Sequence, residues 1–215
     1  MVNATIVIDP GHGGTGSIGQ SDGNHAVSPT GVLEKDLTLI LAQLVNSELH
    51  NAADAGGHDL NILMTRTTDV NLSLAQRAHV ARNSNADRFL SIHMNGFDKV
   101  TRGVETYVRR AADNVNLAAD LRFARNIQNA VFTAIRNLDH DTHDRGVKEA
   151  AFGVLNDISL GNTSGGHCRA CLLEVEFLDV PAVDVLLNTG ANANAVRRQI
   201  ASSIANAIMT DLTNP

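Results

Sequence analysis

Residues 5–14 read Thr5-Ile6-Val7-Ile8-Asp9-Pro10-Gly11-His12-Gly13-Gly14 and join an apolar run to a glycine-rich loop. The apolar run predicts a buried strand, and the proline and glycines that follow end it. Because glycine tolerates backbone angles that other residues avoid, the loop can fold tightly around His12 and leave space beside it. This stretch predicts a histidine held just beyond the carboxyl end of a buried strand.

Strand-like and helix-like segments alternate along the rest of the chain. Such alternation predicts one α/β domain with a twisted, mostly parallel sheet and helices on both faces, and ligands bind such sheets at the carboxyl ends of the strands. We expect Thr30 to cap the first helix. Strands are expected at 6–8, 60–64, 88–93, 103–108, 150–155 and 170–175, and helices at 33–49, 72–83, 116–137 and 190–211.

The composition is that of an acidic globular chain. It has 215 residues, of which 43% are hydrophobic, 19% charged and only 3% aromatic, and a formal net charge of −6. These values predict a single domain over 1–215 with an aliphatic core. Scattered basic residues on an acidic chain argue against nucleic-acid binding, and the lack of a long apolar run argues against membrane insertion. We expect a monomer.

Three potential metal ligands fall where one sheet edge would bring them together. His12 follows the first strand, His93 ends a later strand, and Glu34 begins the first predicted helix. Two imidazoles and a carboxylate are a ligand set that catalytic zinc uses, with a further position open for water. Their spacing matches no short zinc motif, so the residues alone make a zinc site one hypothesis among several.

The chain resembles the zinc-dependent N-acetylmuramoyl-L-alanine amidases of the amidase-3 type along nearly its whole length. The matching blocks occur in the same order in both. They are Ile8–Gly14, Glu34–Leu37, Met64–Arg66 with Asp69, Leu74 with Arg77, Ala86-Asp87, Ser91–Asn95, Gly103–Tyr107, Arg145–Lys148, and Leu173-Glu174 with Phe177-Leu178.

The resemblance implies a site and a reaction. His12, Glu34 and His93 would bind Zn²⁺, and Glu174 would be the catalytic glutamate. Independently, Glu174 ends an apolar segment whose carboxyl edge should face the metal, where the attacking water needs a base. The implied substrate is peptidoglycan, and the implied reaction hydrolyses the amide between N-acetylmuramic acid and the L-alanine of the stem peptide.

The chain departs from the family pattern in three places. Glu176 stands where the family usually has glycine, so either Glu174 and Glu176 share one face of the strand or a bulge turns one of them away. We prefer Glu174 as the base. Met94 replaces a smaller residue, and the loop at 156–167 is longer than usual. Substrate fit is expected to differ at these positions.

The end of that long loop brings together His167, Cys168 and Cys171. The two cysteines form either a weak metal or redox pair or, as we prefer, two partly buried thiols.

Other polar residues are expected to contact substrate or to support loops. His25 lies in the loop between two proposed ligands and is a candidate substrate contact, as is Asn95. For Asn95 and Tyr107, contact with the peptide and the end of a strand are equal alternatives. The buttressing of loops by hydrogen bonds is the expected role of Arg66, Arg77 and Asp87. The remaining histidines are expected at the surface, at positions 50, 58, 79, 140 and 143.

Two other functions remain open from the residues. One is a zinc carboxypeptidase or aminopeptidase, because such enzymes use similar ligands on α/β sheets. The other is an inactive wall-binding module that keeps zinc for stability, against which Glu174 argues.

The expected setting is the cell wall, in the periplasm or outside the cell. Met1 to Ala4 carry no basic region and lead directly into the apolar run, so we expect no signal peptide. The two settings considered are a phage endolysin made in the host cytoplasm, which we prefer, and the catalytic part of an autolysin.

Overall fold

Six strands form one sheet in a computed structural model that describes residues 1–163 and 167–214. The sheet order is β2-β1-β3-β6-β4-β5. Neighbouring strands are parallel except for β4, which runs antiparallel to β6. The strands are β1 (Asn3–Pro10), β2 (Asp59–Met64), β3 (Arg88–Asn95), β4 (Val104–Arg109), β5 (Asp144–Ala150) and β6 (Arg169–Phe177).

Helices cover both faces of this sheet, as the sequence predicts. Alternating strand residues divide the core in two: Ile6 and Ile8 pack on the side of the three long helices, and Val7 packs on the opposite side. The helices are α1 (Glu34–Gly56), α2 (Leu74–Ser84), α3 (Leu117–Arg136), α4 (Asp157–Leu160), α5 (Pro181–Asp184) and α6 (Ala193–Thr213). None of the described helices combines the length and apolarity needed to cross a bilayer.

Two local predictions are wrong. The strand expected at 150–155 is instead β5 at Asp144–Ala150, followed by a 3₁₀ turn at Gly153–Leu155. Val154 and Leu155 in that turn are buried although the segment is not a strand. Their apolar pattern in the sequence is therefore the same as that of a buried strand.

Thr30 does not cap the first helix. The helix begins at Glu34, its N-cap residue is Leu33, and no side chain caps it. The Thr30 hydroxyl donates to Asp184 at 3.1 Å instead.

Other boundaries differ less. Helix α1 continues to Gly56, beyond the expected end at residue 49. The predicted loop at 156–167 contains the short helix α4, and its residues 164–166 lie outside the described residues.

Buried arginines hold the carboxyl end of β1 and the loop that follows it. The Arg77 guanidinium donates to the Asp9 carboxylate at 2.9 Å and to the carbonyls of Pro10 and His12 at 2.8 and 2.7 Å. Arg66 donates to the carbonyls of Pro10 and Gly11 at 3.0 and 2.8 Å. The expected buttressing role of these two arginines is confirmed.

We expect Arg77→Leu to lower the free energy of unfolding by about 3–5 kcal/mol, because removing one partner leaves a buried carboxylate uncompensated. Arg82, exposed on the same helix, provides the control. Arg82→Leu should change stability by about 0.5 kcal/mol or less. Urea unfolding followed by circular dichroism measures both, and equal losses in the two variants would contradict the assigned role of the Arg77–Asp9 pair.

Candidate metal centre

His12, Glu34 and His93 meet at the carboxyl edge of β1 and β3. One ligand atom from each lies within 4.8 Å of the other two. The Nε2 atom of His12 and the Nδ1 atom of His93 lie 3.2 and 3.1 Å from the same Glu34 oxygen, Oε1. The structure therefore brings together all three residues that the sequence analysis selected.

The backbone around His12 explains how its imidazole reaches this position. His12 has a φ of 58°, in the left-handed region, and so turns the chain sharply after β1. Its Nδ1 atom lies 2.9 Å from the Asp22 carbonyl. A carbonyl only accepts, so Nδ1 carries a proton and Nε2 is the ring nitrogen that faces Glu34. A metal ligand at Nε2 requires the remaining ring proton on Nδ1, and this hydrogen bond holds it there.

Gly11 provides the space for His93. A Cβ atom on Gly11 would lie 2.4 Å from the His93 ring, much closer than two carbon atoms approach without a bond. Only glycine allows this strand end and the imidazole to lie together.

The Glu34 carboxylate is fixed by backbone groups as well as by the imidazoles. Its Oε2 accepts from the Ala26 amide at 2.9 Å, and its Oε1 accepts from the Met94 amide at 3.0 Å. Burial favours the neutral acid, but the hydrogen bonds from His12 and His93 outweigh burial and lower the pKa of Glu34 far below its usual range. The pKa of His12 is raised, because Glu34 outweighs the opposing effect of burial. Glu34 is therefore a negative centre on which two imidazoles converge.

The donor set fits zinc. Catalytic zinc takes about three protein ligands drawn from histidine and carboxylate, with its bonds at roughly 2.0–2.2 Å. Two imidazole nitrogens within about 3 Å of a shared carboxylate oxygen match the separations that such bonds produce. The hydrogen bond from His12 to Asp22 supplies the outer support typical of metal-binding histidines.

Glu174 lies beside this cluster. It is paired with His93 in the register between β6 and β3, and its side chain lines the same cavity. Its Oε2 is buried and accepts no hydrogen bond from the described residues. Burial, followed by the negative charges of Glu34 and Glu105, raises the pKa of Glu174 well above its usual range. The carboxyl group has the proton affinity that an acid–base role needs.

Glu176 has a different environment because of a bulge in β6. His93 pairs with Glu174 but Asn95 pairs with Phe177, so β6 contains one extra residue at this point. The fully buried Glu176 accepts from the Gly103 amide at 2.9 Å and from the Thr142 hydroxyl at 2.7 Å. Of the two alternatives left open by the sequence, the structure has the bulge.

A cavity of about 400 Å³ contains the cluster. Asn95 and His25, the two predicted substrate contacts, both line it. The His25 ring is stacked on the His12 ring with a centroid separation of 6.4 Å, and Asn95 donates to Glu105 at 2.7 Å. Tyr107 also lines the cavity and donates to Glu105 at 2.8 Å.

Glu105 has no role predicted from the sequence, although it lies within the matched block Gly103–Tyr107. It faces Glu174 in the antiparallel register of β4 and β6 and accepts hydrogen bonds from Asn95, Tyr107, Arg145 and Lys148. The sequence feature that could have identified Glu105 is its spacing of two residues from Tyr107, which places both side chains on the same face of a strand.

The other histidines and the cysteines lie outside this cavity. His50, His140 and His143 are exposed, whereas His58 and His79 are partly buried, so the expected surface position holds fully only for the first three. Both cysteines are buried and unpaired, as preferred from the sequence. Asp87, the third residue expected to buttress a loop, accepts from the Thr5 amide at 2.8 Å.

The family model described as N-acetylmuramoyl-L-alanine amidase matches residues 6–208. The chain belongs to this amidase family. The resemblance drawn from its sequence blocks is thereby confirmed, and with it the class of enzyme: a peptidoglycan amidase, which is a hydrolase.

Named relatives and a solved structure agree with this assignment. N-acetylmuramoyl-L-alanine amidase AmiA of Salmonella typhimurium is 28% identical over 95% of this chain and 75% of its own length. An endolysin of Bacillus phage SPP1 is 28% identical over 93% of this chain and 64% of its own length. The crystal structure of N-acetylmuramoyl-L-alanine amidase from Clostridium difficile 630 superposes with a TM-score of 0.75 and 28% identity, covering 99% of this amidase and 98% of that chain.

We expect Gly11→Ala to weaken zinc binding by about 10–100-fold, the usual effect of disturbing the support of a metal ligand. The added methyl group would force the His93 ring out of position. Gly16→Ala, in the same loop but with no atom within 4 Å of the added Cβ, should bind zinc as the unaltered amidase does. Titration against a chromophoric chelator measures both affinities, and an unchanged affinity in Gly11→Ala would be inconsistent with His93 as a ligand.

Proposed function

We propose that this amidase uses one Zn²⁺, held by His12, Glu34 and His93, to hydrolyse the amide between N-acetylmuramic acid and the L-alanine of the stem peptide. The observation that carries the proposal is the convergence of two imidazoles on one buried carboxylate next to Glu174. Family membership supports the choice of bond, since the relatives are named for hydrolysis of this amide.

The metal, when bound, would polarise the scissile carbonyl and lower the pKa of the attacking water toward about 7. The three ligands differ in what they contribute. Glu34 reduces the net charge of the centre, while the neutral imidazole of His12, fixed by its bond to the Asp22 carbonyl, keeps its lone pair directed inward.

Glu174 is the proposed general base and general acid. Its carboxylate takes a proton from the attacking water and delivers it to the nitrogen of the leaving L-alanine. Its Oε2, which accepts no hydrogen bond from the described residues, is available for that proton.

Asn95 and His25 are proposed to contact substrate, because both line the cavity that contains the metal cluster. The cavity extends from these polar residues to an apolar wall that includes Leu74, Phe152 and Leu172. A substrate that joins a sugar to a peptide presents both polar and apolar surface, and a cavity of mixed lining suits it.

The proposed site of action is the cell wall, outside the cytoplasmic membrane. Its relatives include a phage endolysin and bacterial amidases, so both settings considered for the chain occur in the family. A monomeric state over one domain, 1–215, remains a prediction.

Exchange of the two neighbouring glutamates tests the assignment of the base. Glu174→Gln should lose roughly 10²–10⁴ in kcat, the scale of a positioned acid–base group, while its zinc content stays unchanged. Glu176→Gln should lose stability instead, because a buried, multiply bonded carboxylate is replaced, and its rate per folded molecule should be retained.

Turbidity loss of purified sacculi gives the rates, and atomic absorption gives the metal content. Full activity in Glu174→Gln, or a loss of rate confined to Glu176→Gln, would refute the assignment.

Product analysis tests the bond that is cut. An amidase should release free stem peptides and leave the glycan chains intact, whereas a peptidase would only shorten the stems. Mass spectrometry of digested sacculi separates these results. We also expect chelation to abolish hydrolysis and stoichiometric Zn²⁺ to restore it. An inactive wall-binding module would bind zinc without releasing either product.

A further inference from the structure

Two cationic side chains meet beside the catalytic cavity on one buried carboxylate. Arg145 donates through Nε to the Glu105 Oε2 at 2.6 Å, and Lys148 donates through Nζ to the same oxygen. The Glu105 side chain is 4% exposed, whereas Arg145 and Lys148 are 33% and 37% exposed. Arg145 and Lys148 thus form a cationic rim, in which buried Glu105 holds both charged groups while each side chain stays partly open to solvent.

A bulge in β5 places both cations on the same side of the sheet. Arg145 and Lys148 are three residues apart, so a regular strand would direct them to opposite faces. Between Val104 and Thr106 the pairing of β4 with β5 shifts, with Thr106 opposite Val147, so β5 contains an extra residue. Gly146 at this point has a φ of 74°, which glycine adopts readily. The local backbone is therefore shaped so that both side chains reach Glu105.

Aromatic rings restrict the positions of the two cationic groups. The Arg145 guanidinium lies 5.1 Å from the centre of the Phe177 ring, and the Lys148 ammonium lies 5.7 Å from the centre of the Tyr107 ring. Such cation–π contacts hold a side chain without neutralising its charge. The rim is therefore ordered before any ligand arrives, which reduces the entropy lost on binding.

Both cations of this rim share a single carboxylate. Among the described residues, Arg145 and Lys148 form their ion pairs with Glu105. The other carboxylates of β5 are bonded elsewhere: Asp144 accepts from the Gln128 amide at 2.6 Å, and Glu149 accepts from the Ala111 backbone amide at 2.7 Å. One carboxylate is therefore divided between two cationic groups that are partly open to solvent.

We propose that Arg145 and Lys148 form a subsite for a carboxylate of the stem peptide, namely the free α-carboxylate of the residue after L-alanine. This residue is a D-glutamate joined through its side chain, so its α-carboxyl is either free or amidated. The inference rests on the proposed function, because it assumes that the stem peptide occupies the cavity.

The position of the cationic groups supports this choice of residue. Both groups reach Glu105 on β4, which faces Glu174 in the register of β4 with β6. Neighbouring strands lie about 5 Å apart, so the cations approach the strand that carries the proposed base to about one strand spacing. The carboxyl of the L-alanine is joined in an amide to the next residue, so the α-carboxylate of that next residue is the first on the stem that can pair with the rim.

Two muramoyl tripeptides that differ only at the D-glutamate α-carboxyl test the subsite. One carries the free carboxylate and the other its amide. For the unaltered zinc-loaded amidase, amidation should lower kcat/KM by about tenfold, the scale of one charge-assisted hydrogen bond at a partly exposed site. In Lys148→Gln and Arg145→Gln this preference should shrink, because the carboxylate form loses more rate than the amide form. Arg122→Gln, exposed on α3, should keep the full preference.

Calorimetry gives a second readout. The zinc-loaded Glu174→Gln variant should bind the carboxylate form more tightly than the amide form, and adding Lys148→Gln should remove the difference. If the preference is the same in all variants, Arg145 and Lys148 only brace Glu105 and the subsite is wrong. If the unaltered amidase cleaves neither compound, the proposed function fails, and the binding difference still decides the subsite.

Discussion

The Glu34 carboxylate is the constraint on which the site depends. It begins α1 and takes backbone hydrogen bonds from Ala26 and Met94, so loop, helix and β3 all meet at one group. Both imidazoles lie within 3.2 Å of its Oε1. A negative charge buried this deeply is unfavourable without compensation, and the hydrogen bonds from His12 and His93 provide that compensation. The fold thus brings together the groups that stabilise the Glu34 charge, and that charge in turn links the loop, α1 and β3.

Most of the architecture and the three proposed ligands could be predicted from the sequence, because both depend on patterns that are local in the chain. Apolar runs such as Ile6–Ile8 mark buried strands, and carboxyl ends of parallel strands share one edge. That rule alone predicts that His12 lies beside His93. The two errors have different causes. Val154 and Leu155 are buried although they lie in a 3₁₀ turn, so their apolar pattern resembles that of a strand. Helix α1 begins after Leu33 without a side-chain cap, so no capping residue marks its start.

Bulges were the main feature that the sequence pattern could not reveal. One extra residue in β6 separates the environments of Glu174 and Glu176, although strict alternation places them on one face. The bulge also explains why glutamate is accepted at position 176: the Gly103 amide, the Thr142 hydroxyl and Arg102 surround its carboxylate. Likewise, Gly146 in β5 aligns Arg145 with Lys148. Both features depend on pairing between strands far apart in sequence, so no local pattern encodes them.

The positions of the two thiols have a consequence for where the amidase can work. Cys168 packs into the core on one side of the sheet and Cys171 into the core on the other. The intact sheet therefore stands between the two sulfur atoms, and a covalent bridge between them would require unfolding of β6. Passage from a reducing cytoplasm to an oxidising exterior leaves the covalent structure of the folded chain unchanged. Because both thiols are buried, the folded state is compatible with either redox environment.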